Sequence, residues 1–237
     1  MQAAGPRTGF TLIELVVALA VVSIMVALGV AALSSLGRLT APQTAASELS
    51  AHLSEARALA VEKSMDVWVV YFETLNKTGA VGTGQGGYIV LGDPDFSFGG
   101  LIPAPAVGEW RLATMPIPNC ETPLTPTAGR VKVLRLVCYE QYSGANVLAA
   151  DVGAAPFSIT LPAPFLSLNP VSSRCSFCTA ERGAIVFQDN GQARFVDGTG
   201  APIAARSGYV GIASRDNTRA YLFAVSGPTS FVQSYAN

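Results

Sequence analysis

Glu14 stands where a carboxylate is costly. It immediately precedes residues 15–33, a run without one charged side chain, and an acid carried to the centre of a membrane helix costs roughly 2.5 to 3.5 kcal/mol. One reading keeps Glu14 at headgroup depth, where the positive end of a helix favours it. The other gives it a partner charge. Cleavage after Gly9 would create such a partner, the new amine of Phe10.

Other residues offer chemistry of a different kind. Cys120, Cys138, Cys175 and Cys178 all follow the apolar run, and on an oxidising side of a membrane such thiols pair. Pairing by proximity in sequence joins Cys120 to Cys138 and Cys175 to Cys178. The first bridge closes a loop of about 19 residues, worth roughly 3 kcal/mol in the chain-entropy account. Cys175-Ser176-Phe177-Cys178 also fits a redox motif or half of a zinc site, but zinc needs two more soft ligands and His52 is the sole histidine. No nucleophile, base and orienting group gather around His52, which reads as a rim residue and leaves no enzyme, cofactor or metal expected. Asp93-Pro94-Asp95 supplies too few oxygens for calcium and reads as a turn. The glycine-rich residues 79–87 lead into a strand pattern, the wrong context for a phosphate-binding loop and the right one for a hairpin connection.

The elements that carry these residues follow from the pattern of the chain. Residues 15–33 span about 28 Å as a helix, close to the hydrocarbon thickness of a bilayer. A secretory signal places its small-residue cleavage site after a short apolar core; here the small residue, Gly9, precedes a long one. Arg7, the one charge ahead of it, favours a cytoplasmic N-terminus. The helical pattern continues to residue 64 with Pro42 as its one interruption, where a kink is expected. Leu49, Leu53, Ala56 and Ala60 then mark one apolar face. Strands are expected at 65–72, 88–91, 109–114, 130–139 and 157–161, with a loop pinned by cysteines at 162–182. Gly183 to Phe187, Asn190-Gly191 and Gln192 to Val196 read as a hairpin. Further strands at 209–213, 220–225 and 229–235 complete an antiparallel tail.

Gly9-Phe10-Thr11-Leu12-Ile13-Glu14 resembles the processing site of type IV pilins and type II secretion pseudopilins. The resemblance implies a prepilin peptidase that cuts after Gly9 and methylates Phe10, and a Glu14 that meets the terminal amine of a neighbouring subunit during assembly. Ala56-Arg57-Ala58-Leu59-Ala60-Val61-Glu62-Lys63-Ser64 running into Val67-Trp68-Val69-Val70 is similar to the GspH/FimT-type minor pilins and pseudopilins. So are Ile185-Val186-Phe187 before Asn190-Gly191, and Arg219-Ala220-Tyr221-Leu222-Phe223 with Ser226-Gly227. Residues 93–182 depart from that pattern. The implied fold is α+β, a long N-terminal helix packed on antiparallel sheets, with residues 1–9 as leader, 10–64 as helix (transmembrane about 10–36) and 65–237 as a periplasmic or extracellular β-rich head.

The implied function is a minor pilin or pseudopilin, built into a filament through its helix after a stay in the bacterial inner membrane, at the tip or in priming assembly. Its partners would be the prepilin peptidase and other pilin or pseudopilin subunits. Two alternatives stay open: a main filament subunit, and a DNA-binding minor pilin for natural transformation. The formal net charge of −1 gives the second no bulk electrostatic support.

Overall fold

In the computed structural model the described residues are 12–75, 85–96, 98, 110–120, 131–140, 175–179, 182–213 and 220–236. The chain divides into two compact units, residues 1–40 and residues 41–237. One helix, α1 (Leu12–Lys63), contributes to both. Pro42 lies inside it without ending it.

In the second unit α1 is amphipathic, and the periodic positions are the buried ones. Ala45, Ala46, Leu49, Leu53, Ala56 and Ala60 form a continuous apolar stripe with almost no solvent exposure. Spacings of three and four residues place them on one face, where they meet a sheet rather than water. The helix stops at Lys63, and Ser64 takes a left-handed φ of 49° to turn the chain into the first strand.

Two antiparallel sheets receive that stripe. The larger has six strands in the order β3 (Lys132–Glu140), β2 (Gln85–Asp93), β1 (Asp66–Leu75), β4 (Arg182–Phe187), β5 (Ala193–Asp197) and β6 (Pro202–Ile203). The smaller is a meander of β7 (Ser207–Ala213), β8 (Ala220–Ser226) and β9 (Val232–Ala236). β1 is central, antiparallel to β2 with Val69 opposite Val90 and to β4 with Val69 opposite Ile185. Its side chains alternate between two cores. Val67, Val69 and Tyr71 face α1, and Trp68, Val70 and Phe72 pack on Phe98, Leu112, Met115 and Val131. A strand covered on both faces is apolar throughout, as residues 67–72 are.

The sheets are joined by direct hydrogen bonds. The Tyr71 hydroxyl on β1 donates to the Gly211 carbonyl on β7 (2.8 Å), and the Ala193 N–H on β5 donates to the Gly227 carbonyl after β8 (2.7 Å). Gly208 is forced by this junction, since a Cβ there would lie 2.5 Å from Cε1 of Phe195. At the β4–β5 turn Gly191 has a φ of 79°, the conformation that Asn-Gly hairpins require.

Four expectations need amendment. Residues 110–114 form a turn, not a strand: the Thr114 and Met115 N–H groups both donate to the Arg111 carbonyl. The tail is not one meander, because β4 and β5 pair with β1 while β7–β9 form their own sheet. β6 adds a strand that the sequence pattern did not signal. Gln85, Gly86 and Gly87 lie in β2 and not in the connection before it. Residues 76–84, 109 and 157–161 lie outside the described residues.

Candidate functional site

The first half of α1 is apolar on every face. Leucine, isoleucine, valine and alanine dominate it, and helix is the form in which a lipid-exposed segment satisfies all of its backbone donors and acceptors internally. Residues Leu12–Gly29 are long and apolar enough to cross a membrane, with a mean hydropathy of 2.7, and none of the span is buried within the chain. Leu12 is 83% exposed and Ile13 70%. The Ser23 hydroxyl donates to the Leu19 carbonyl at 2.8 Å, which removes the one unmet polar demand that this serine would otherwise bring into lipid.

Glu14 lies in the first turn of this helix, on an exposed position. A carboxylate there interacts favourably with the helix dipole, yet a charge inside a water-poor bundle or bilayer demands a partner cation. Gly9 and Phe10 lie outside the described residues. What this segment can do chemically is limited to proteolytic trimming, terminal modification and charge pairing.

Residues 6–30 match the prokaryotic N-terminal methylation motif. The match takes in Gly9, Phe10 and Glu14 together with most of the apolar span. No curated protein and no solved structure matches the chain. The motif supports a type IV pilin-like subunit and points to a structural role rather than an enzyme. It implies processing by a prepilin peptidase and assembly with other pilin subunits. A single apolar helix near the N-terminus, carrying that motif, fits anchoring in the inner membrane.

The cysteines lie far from this segment in sequence and serve the β-rich unit. The structure bridges Cys120 to Cys138, with Cα atoms 5.9 Å apart, and Cys175 to Cys178, with Cα atoms 5.4 Å apart. Cys138 sits on β3, so the first bridge ties the segment at 110–120 to the edge of the large sheet. The second closes a turn that clips the sheets together. Cys175 pairs with Val210 on β7, the Ser176 N–H donates to the Tyr209 carbonyl (3.1 Å), and Phe177 stacks at 5.5 Å from Phe195. Among the described residues no cluster of histidine, cysteine, aspartate or glutamate could hold a metal ion.

His52 is half-buried at the helix–sheet boundary, its Nδ1 2.6 Å from the Tyr88 hydroxyl. Burial, together with the charge of Glu48, holds the Tyr88 phenol well above its ordinary range, so this hydroxyl stays protonated. Glu55 accepts two hydrogen bonds from Arg135 on β3, at 3.1 and 3.2 Å. That hydrogen bonding lowers the Glu55 carboxyl despite some desolvation. These contacts fix the second half of α1 on the sheet.

Two polar features had no signal in the sequence. The Arg182 guanidinium donates to the carbonyls of Leu112 (3.3 Å) and Met115 (2.7 Å), 70 and 67 residues away. Arg194 donates to the buried carboxylate of Asp66 (3.0 Å) and lies 5.3 Å from the Trp68 ring. Burial raises the Asp66 carboxyl, with the Arg194 pair pulling the other way.

Proposed function

We propose that the chain is a minor pilin or pseudopilin of the GspH/FimT type, cut after Gly9 and methylated on Phe10. The observation that carries this reading is the methylation motif over residues 6–30, which opens a helix that no other part of the chain buries. An all-apolar exposed helix is stable in lipid, or against other helices of the same kind, and unstable bare in water. The segment therefore serves first as an anchor with a cytoplasmic N-terminus and a periplasmic head, and then as packing material in a filament.

Glu14 makes the exchange selective. When the helix moves from lipid into a bundle, the carboxylate meets the amine of a neighbour's cleaved Phe10, and the pair offsets the burial of two charges. Enlargement of the head by residues 93–182 suits a subunit at the filament tip or one that primes assembly.

The test is Glu14→Ala in the full chain. The variant stays membrane-bound and is processed normally, while its recovery in purified filaments drops about tenfold or more, as loss of one partner in a buried pair dictates. Undiminished recovery removes the charge-pair account.

A further inference from the structure

Two exposed features of the β-rich unit are complementary in shape and charge. The last turns of α1 and the turn before β9 enclose an open cavity of about 450 Å³, lined by Arg57, Ala58, Val61, Phe231 and Val232 among others. Val61 and Phe231 are each 51% exposed. Arg57 is the one charged side chain on this lining, and it makes no ion pair among the described residues. The turn that presents Phe231 is fixed from below. Ser230 is buried with a φ of 46°, and its hydroxyl donates to the Gly191 carbonyl at 2.5 Å.

The turn after β2 offers the converse. Phe96 is 50% exposed and holds a φ of 55°, a conformation that costs a bulky residue on the order of 1 to 3 kcal/mol and persists where its surroundings enforce it. Here the Asp93 carboxylate enforces it by accepting the Phe98 N–H at 2.8 Å. Asp95, exposed beside Phe96, forms no ion pair among the described residues. One surface thus carries an aromatic ring and an unpaired cation, and the other an aromatic ring and an unpaired carboxylate. Aromatic and arginine anchors of this kind dominate protein interfaces.

We propose that the Asp95-Phe96 turn of one copy of this chain seats in the cavity of a second copy, with Phe96 between Val61 and Phe231 and Asp95 against Arg57. The two patches differ, so the contact is heterologous and extends along a row of copies. Apolar burial supplies the attraction, and the exposed ion pair sets orientation more than affinity. The proposal rests on the reading of the chain as an assembling subunit and adds which surfaces of the heads meet.

The test places a photo-reactive benzophenone side chain at position 231 of the full-length protein in membranes, with isotopically mixed copies to separate contacts between chains from those within one. The expected cross-link joins position 231 to the peptide holding Asp95 and Phe96 of another copy. Phe96→Ala lowers its yield roughly tenfold, as loss of a central aromatic anchor does. Arg57→Asp lowers it too, and Arg57→Asp with Asp95→Arg restores it. Cross-links to lipid, to another segment, or to no protein overturn the proposal, as does a yield indifferent to Phe96→Ala. Intact mass of the same samples scores cleavage after Gly9 separately. A processed chain without the cross-link sinks this contact alone, and an unprocessed chain counts against the subunit reading whatever the cross-link shows.

Discussion

The two halves of α1 are made of nearly the same residue types and meet opposite fates. In the first half no residue of the Leu12–Gly29 span is buried, although every face is apolar. In the second half six apolar positions from Ala45 to Ala60 are buried to a few per cent or less, and serine, glutamate and arginine occupy much of the remainder. The lesson is about solvent. A helix with apolar residues all round is specified for an environment that the chain itself does not provide, whereas a helix with one apolar stripe is specified for its own sheet.

That contrast can be broken from either side. Leu53 is fully buried between helix and sheet, so Leu53→Ala should destabilise the β-rich unit by about 4 kcal/mol. Thermal unfolding read by circular dichroism checks this, and membrane attachment should not change. Val22→Arg should do the reverse: an arginine near mid-span costs about 3 kcal/mol of insertion, read as loss of the protein from the membrane fraction, with the unfolding midpoint of the head unaltered. If either substitution moved both readouts equally, the division of labour along α1 would be wrong.

A smaller effect sharpens the boundary where α1 hands over to β1. Burial raises the Asp66 carboxyl above its ordinary value of 3.8. The folded state therefore holds this proton more tightly than the unfolded chain, so the stability gained from protonated Asp66 is complete below that ordinary value and is lost as pH rises through the raised one. Asp66→Asn should flatten that part of the stability profile in urea titrations at stepped pH. A profile unchanged by the substitution would assign the slope to other carboxylates.

How much of this was legible in the sequence depends on whether a local pattern carried it. The stripe Leu49, Leu53, Ala56, Ala60, the apolar run at 67–72 and the Asn190-Gly191 hairpin are local signals, and each corresponds to an observed element. The turn at 110–114 was misread because the alternation of Trp110 and Leu112 imitates a strand. The chain there is instead folded around carbonyls that Arg182 claims from far along the sequence. Likewise the split of the C-terminal strands into two sheets follows from close approaches at Gly208 and Gly227, where the partner atoms belong to Phe195, Ala193 and Arg206. For the candidate site the reverse holds. Its information is local in residues 6–30, and the fold adds only that nothing in the chain covers the helix that follows.

Intact-mass analysis with N-terminal sequencing of the protein recovered from membranes tests the central claim most directly. The account predicts one chain that begins at Phe10, carries a single methyl group on its amine and retains the entire apolar span. A chain that still begins at Met1, or one cut beyond residue 33 so that the span is discarded, would contradict it.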